Sequence, residues 1–310
     1  MIKAGQYKIS IAGFLITLLG AILFSTKAII VKLAFGHTHT DALTLLTLRM
    51  IFALPFYVVA AFWVSGQKSN KQMTGKEWML VLALGIFGYY LSSLFDFIGL
   101  QYVSAGLERL ILFLYPTFAV LINAYFFKQK ISNIQKLALA LTYAGIAIAY
   151  FGELSIDTGN PKFYFGSFMI FLCAITYSIY IAGSGKVIPW IGANKFTAYA
   201  MLAATAGIFI HFAIQGNIAT LESGSSLWVY AIVLAVVATV VPSFLVSQGL
   251  KKIGSNNVAI ISGIGPVSTI MQAHFILGEK IFAEQIVGTI LVIIGVLLTG
   301  WRRKPVAETA

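Results

Sequence analysis

Long apolar runs separated by short polar or basic connections set the pattern of this chain. Ten runs stand out: 11–35, 42–64, 78–97, 103–127, 134–152, 165–184, 196–214, 227–248, 256–277 and 285–301. Each falls within the roughly 17–25 residues that a helix needs to cross the hydrocarbon core of a bilayer. Barrel strands would instead show alternating segments of about 10 residues. Continuous runs of this length therefore predict helices, and the fold class predicted is an all-α membrane protein with ten transmembrane helices. The run from Ile11 exceeds the roughly 7 to 15 residues of a signal-peptide core, so it reads as a first span that stays attached.

Composition agrees. The chain is 59% apolar and only 10% charged, against about 25% charged in a soluble domain, and its mean hydropathy is +0.90. Too few charges remain to wet a soluble surface.

The charges that do occur carry topology. Of 21 Lys and Arg, fifteen lie at the two ends and in the even-numbered connections: Lys3, Lys8, Lys68, Lys71, Lys76, Lys128, Lys130, Lys136, Lys186, Lys195, Lys251, Lys252, Arg302, Arg303 and Lys304. Lys162 and Lys280 alone lie on the opposite side. Basic connections stay cytoplasmic, which predicts a multi-pass protein of the cell membrane with both termini in the cytoplasm. The net charge of +11 is then a topology signal. No basic stripe with interleaved aromatics is present, so the partners expected are the lipid bilayer and a small-molecule substrate, with no nucleic acid. The pattern specifies no oligomeric state.

The second half restates the first. At an offset of 150, Gly99-Leu100 falls on Gly249-Leu250, Pro116 on Pro266, Lys130-Ile131 on Lys280-Ile281 and Gly145 on Gly295. Span 1 lies on span 6 with Gly13 on Gly166, Ala21 on Ala174 and Ser25 on Ser178. Span 2 against span 7 is the weakest match, because Arg49 has no basic counterpart. Each repeat holds five helices. Five is odd, so the second repeat enters the membrane from the opposite face. The domains expected are a five-helix repeat over 11–152, an external linker over 153–164, an inverted five-helix repeat over 165–301 and a cytoplasmic tail over 302–310. Inverted repeats are the architecture of many secondary transporters, in which two similar halves open a central site to each side in turn.

Two five-helix repeats, a Gly-Leu before each fourth helix, Pro116 and Pro266 within those helices, and the closing Gly278-Glu279-Lys280-Ile281 resemble the EamA branch of the drug/metabolite transporter superfamily. The resemblance covers about 11–152 and 165–301. It implies a fold whose fourth and ninth helices line a central cavity, and a function of exporting or exchanging small metabolites, including amino acids and drugs. One departure is Lys128-Gln129-Lys130, where a Gly-Glu is typical of the family. Glu279 accordingly reads as capping or pairing within its short loop.

Charges inside spans are costly and mark candidate sites. Lys27, Lys32, Arg49, Glu108 and Arg109 all fall in the outer half of the membrane, and Glu108 reads as the only carboxylate far inside a span. Two readings stand. In one, Glu108 neutralises an arginine and the lysines reach water. In the other, the surplus positive charge of Lys27, Arg49 and Arg109 faces a cavity and receives a carboxylate or phosphate, for which the arginine fork is suited. Glu108 is also a candidate for a coupling proton. In span 9, Ser262, Gly265, Thr269 and Gln272 recur at spacings of 3, 4 and 3, which is one helical face, and read as cavity wall or as glue between helices. Pro116 and Pro266 each free a carbonyl one turn back and read as hinges or packing kinks. Tyr115, with Tyr89, Tyr90, Tyr177 and Tyr180, is placed to stack on a flat substrate or to pack. Cys173 lies inside a run and reads as a buried structural thiol. The histidines at 37, 39, 211 and 274 have no metal spacing, and neither metal nor cofactor is expected.

The function expected is therefore a secondary transporter of a small metabolite, with an anionic group such as that of an amino acid or organic acid. The alternatives are an intramembrane enzyme or a channel, but the chain has no His-Glu-x-x-His helix, no Gly-x-Ser-x-Gly elbow and no recognisable filter.

Overall fold

A computed structural model of the chain describes residues 10–66, 72–126, 133–156, 160–221 and 224–300. Lys3, Lys8, Lys68, Lys71, Lys128, Gln129, Lys130, Ile131 and Arg302 to Lys304 lie outside them, as do part of the 153–164 linker and the tail after 301. The described residues contain helices and no strand. In order they are α1 (Ile11–Thr38), α2 (Ala42–Ser65), α3 (Gly75–Gly85), a π-helical stretch (Ile86–Leu91), α4 (Ser92–Leu100), α5 (Ala105–Leu112), α6 (Tyr115–Phe126) and α7 (Asn133–Ile156). They continue with α8 (Phe163–Ile191), α9 (Ala193–Gln215), α10 (Ile218–Leu221), α11 (Ser225–Ala235), a π-helical stretch (Val236–Val240), α12 (Val241–Ser262), α13 (Gly265–Gln272), a π-helical stretch (Ala273–Leu277) and α14 (Ala283–Gly300).

Local chemistry starts several of these helices. Ser10, Asp41 and Ser104 each accept the backbone N–H three residues on, and Thr74 forms a reciprocal capping box with Glu77. Such caps satisfy amides that the first turn leaves unpaired. By length and composition, six helical segments among the described residues can cross a membrane: α1, α2, Gly75–Leu100, Phe163–Ser184, α9 and Ser225–Gly249. The surface is inverted relative to a water-soluble protein. Phe62, Trp63, Ile214 and Phe275 stand outward, each more than half exposed, while Asp96, Glu108 and Arg49 are buried. Apolar groups outside and ionic groups inside are the arrangement that hydrocarbon solvent requires.

The structure departs from the polarity pattern at two connections. α8 runs to Ile191 and α9 begins at Ala193, so Lys186 and Lys195 lie in helices rather than in a loop. Gly192 alone joins them, at φ 86°, in the left-handed region that glycine enters without a Cβ penalty. α12 likewise covers the position predicted for the loop after span 8. Val246 lies against Gly20, Ile253 against Gly13, and Gly265 against Ser25. α1 is thus contacted by the second half at Gly13, Gly20 and Ser25.

The offset of 150 found in the sequence recurs in the backbone. The π-helical stretch at Ile86–Leu91 matches that at Val236–Val240, and the break at Phe113–Leu114 between α5 and α6 matches the break at Gly263–Ile264 between α12 and α13. Pro116 and Pro266 therefore do not kink continuous helices. Each stands at the second position of a helix that begins after a break, where the missing amide is tolerated.

α7 and α14, matching helices of the two halves, pack on each other through glycines. Gly145 lies against Gly288 and Leu291, Gly152 against Glu284, and Gly295 against Ala138 and Thr142. Index rises on one helix as it falls on the other, so the matched helices run antiparallel. Small residues allow this close approach. A Cβ on Gly145 would strike the Gly288 carbonyl, whereas one on Gly36 would meet nothing within 4 Å. Gly145→Val is expected to cost about 1–3 kcal/mol of stability by overpacking, and Gly36→Ala to be neutral or to stabilise by up to about 1 kcal/mol through helix propensity. Unfolding of the purified protein in detergent checks both signs.

Candidate functional site

Three helices bring the buried charges together. α1 carries Lys27, α4 carries Asp96 and α5 carries Glu108 and Arg109. Lys27 Nζ lies 2.7 Å from Asp96 Oδ2 and 4.0 Å from Glu108 Oε1. Both carboxyl groups are fully buried, and they lie against each other as well as against this ammonium. Asp96 corrects the expectation that Glu108 is the only carboxylate deep in a span. The polarity pattern put the end of span 3 at residue 97, but α4 continues to Leu100, which draws Asp96 a turn inward. The site therefore sets three basic groups against two carboxyl groups that lie against each other.

The two arginines differ. Arg109 Nε donates to Thr269 Oγ1 at 3.0 Å, and Nη2 donates to the Phe24 carbonyl at 3.0 Å. It stitches α5 to α13 and α1. Arg49 is 3% exposed, its guanidinium stands 5.0 Å over the Phe97 ring, and its Nε is buried without a hydrogen-bond partner. The ring face offers cation–π attraction but leaves the planar donor fork unfilled.

Lys27, Arg49 and Arg109 border a central cavity of about 140 Å³. Much of its wall comes in matched pairs from the two halves. At the offset of 150, Gly88 and Ala238, Tyr89 and Thr239, Ser93 and Ser243, Leu112 and Ser262, and Tyr115 and Gly265 all line it. So do Phe24 and Tyr177, which match in the alignment of span 1 on span 6. The cavity thus sits where the halves meet. Every ionic group at it comes from the first half. The second half contributes hydroxyls, small residues and Tyr177. Tyr115 and Tyr177 pack edge to face with centroids 5.0 Å apart, and Tyr89 shares a 2.9 Å hydroxyl hydrogen bond with Tyr180.

Of the residues singled out in the sequence, Lys27, Arg49, Arg109, Tyr115 and Ser262 border the cavity. Glu108, Thr269 and Gln272 do not. Glu108 lies behind Lys27, Thr269 is taken up by Arg109, and Gln272 donates to Ser268 one turn back at 2.8 Å. The polar stripe of span 9 is split because helix breaks at Gly263–Ile264 separate its inner part from the rest. Tyr90 turns to His211 instead (3.0 Å). Cys173 is buried, 3.3 Å from Ser92 Oγ, and borders the cavity. Thr239 and Ser243 were missed, though the repeat register applied to Tyr89 and Ser93 points to both.

Comparison with known proteins gives a consistent result. The model of the EamA-like transporter family matches residues 11–151 and again 164–301. The uncharacterized transporter YcbK of Bacillus subtilis is 32% identical over 89% of each chain. An uncharacterized transporter of Archaeoglobus fulgidus is 24% identical over 85% of this chain and 89% of its own. One protein of known crystal structure superposes with a TM-score of 0.66 over 92% of this chain and 95% of that one, at 17% identity, a likeness of fold.

Removing one partner of a buried ion pair strands the other. Lys27→Met is expected to destabilise the protein by about 3–5 kcal/mol, and adding Asp96→Asn and Glu108→Gln to recover most of that loss. A double-mutant cycle read by unfolding in detergent measures the coupling.

Proposed function

The chain belongs to the EamA-like transporter family, and on that premise we propose that it is a secondary transporter, an exporter or exchanger, that moves a small metabolite bearing an anionic group through the central cavity by alternating access. The reading is of a transporter and not an enzyme, which the transporter-named relatives favour. Its ten helices would form two inverted five-helix repeats, 11–152 and 165–301, with both ends in the cytoplasm of a cell-membrane protein. The antiparallel packing of matched α7 and α14 and the 15-to-2 division of Lys and Arg support that arrangement.

The observation that carries the substrate reading is Arg49, a buried guanidinium at the cavity whose Nε has no partner. Desolvated donors of this kind bind a carboxylate or phosphate strongly, because a planar fork matches two oxygens. Arg109, already engaged by Thr269 and Phe24, positions the helices and does not receive the substrate. Lys27, held by Asp96, lends positive potential. The hydroxyls of Ser243 and Ser262 and the rings of Tyr115 and Tyr177 would meet the remainder of the substrate. Glu108 would serve coupling, if any, from behind Lys27 rather than by touching substrate.

The test is solute counterflow in proteoliposomes across amino acids, organic acids and phosphorylated metabolites, after a thermal-shift screen for ligands that stabilise the folded protein. Arg49→Gln is expected to weaken substrate affinity at least tenfold, about 1.4 kcal/mol, with little loss of stability. Arg109→Gln is expected to lower the unfolding temperature instead. Unchanged affinity in folded Arg49→Gln excludes the anion site, and absence of saturable counterflow with every solute counts against transport. A pH gradient applied to Glu108→Gln reports whether that carboxyl carries a coupling proton: loss of gradient-driven uptake with counterflow retained is the expected sign.

A further inference from the structure

Away from the cavity, directed polar contacts converge on one short segment, Tyr102 to Gly106, at the start of α5. Lys32 of α1 donates to the Val103 carbonyl at 2.9 Å. Asn160 donates to the Tyr102 carbonyl at 2.7 Å. Glu153 of α7 accepts from the Ser104 amide at 3.2 Å and hydroxyl at 2.8 Å. Glu279, in the connection before α14, accepts from the Ala105 amide at 3.0 Å and the Gly106 amide at 3.4 Å. Glu279 therefore does not serve only its own loop. It caps a helix of the other half. Those amides are donors that a helix start leaves unpaired, at the positive end of the helix dipole. The segment is thus fastened by carboxylates from both halves, within about one turn of Glu108 and Arg109.

The repeat makes the asymmetry informative. At the offset of 150, Glu279 corresponds in sequence to Gln129, and Glu153 to Arg303. In the sequence, the positions that match the two carboxylates hold a neutral amide and a cation. If matched halves exchange conformations, the two ends of the cavity are closed by matched contacts. Charge-assisted hydrogen bonds are about twice as strong as neutral ones, so the end closed by two carboxylates is the more stable closure. A two-state equilibrium is displaced by just such a difference in contacts.

We propose that Glu153 and Glu279 form a carboxylate latch that shuts the Ser104 end of the central cavity, and that the lack of carboxylates at the two matching positions makes this the resting state, open toward the opposite face. The proposal rests on the alternating-access reading above. It makes the two glutamates positioning residues that act through α5, without touching substrate.

The chain's one cysteine, Cys173, borders the cavity and reports access to it. In right-side-out and inside-out vesicles, the rate of its modification by a charged, membrane-impermeant methanethiosulfonate is read by mass spectrometry. Wild-type protein is expected to react faster from the Lys- and Arg-rich face. Glu279→Gln, and more strongly Glu153→Gln with Glu279→Gln, is expected to raise the rate from the Ser104 face about tenfold, the change that a 1.4 kcal/mol shift produces. Glu279→Asp keeps the carboxylate and is expected to stay near wild type. Should a Gln variant fail to fold, Glu279→Ser with its short hydroxyl is read in its place. Wild-type modification that is not faster from the basic face, or equal Ser104-face rates in wild type and variants that retain counterflow, overturns the latch and leaves the transporter reading standing. Absence of counterflow in the wild type overturns the transporter reading itself.

Discussion

A lysine ammonium held between two carboxylates, in a medium that cannot solvate any of the three, is the interaction on which the rest of this structure depends. Lys27, Asp96 and Glu108 come from three helices, α1, α4 and α5. In water such contacts would be worth little. In a bundle surrounded by hydrocarbon, each charge has nowhere else to go, so the helices that carry them are bound to one arrangement. Arg109 extends the fastening through Thr269 to α13 and through Phe24 to α1. The result is a rigid ionic wall on one side of a small cavity, with Arg49 left facing in.

Around that wall the two halves are alike in backbone and unlike in chemistry. Two of the three π-helical stretches and the helix breaks fall at the same offset, and matched residues line the cavity. π-helical turns and breaks leave backbone groups free of the regular ladder and recur at functional sites. Here they sit beside the cavity in both halves: Gly88 and Tyr89 in one, Ala238 and Thr239 in the other. The charges, by contrast, occur in the first half alone. The cavity wall therefore has guanidinium and ammonium groups from one half and hydroxyls and aromatic edges from the other, which suits the proposed substrate with one charged end. On the alternating-access proposal, symmetry of shape would provide two conformations of similar energy, and asymmetry of side chains would decide what binds and which conformation is preferred.

Glycine supplies the remaining condition. Gly145, Gly288 and Gly295 let α7 and α14 approach backbone to backbone, and Gly13 and Gly20 of α1 make room for the side chains of Ile253, Leu245 and Val246 of α12. With no hydrophobic drive between helices in lipid, close contact of this kind holds the bundle together. α7 and α14 run unbroken and contribute no described residue to the cavity wall, whereas the segments on either side of the breaks at Phe113–Leu114 and Gly263–Ile264 do. That division separates a stiff frame from segments that have natural points of bending at Phe113–Leu114 and Gly263–Ile264.

The sequence by itself determined the helical class, the apolar character of the long runs, the repeat offset and the short list of buried cations. Those features follow from local rules: run length against bilayer thickness, the sidedness of basic residues, and self-similarity. It did not determine which charges pair. Asp96 looked like the end of a span because polarity marks where a helix leaves lipid, not how far its backbone continues. Arg49 and Arg109 were indistinguishable along the chain and took opposite roles, one left with an unfilled fork at the cavity and one stitched to Thr269. Glu279 looked confined to its loop and instead caps α5 in the other half. Only the tertiary structure could decide these, because each depends on a contact more than 45 residues distant in sequence, and in a low-dielectric interior the partner of a charge is set by which helices touch and not by which residues are neighbours along the chain.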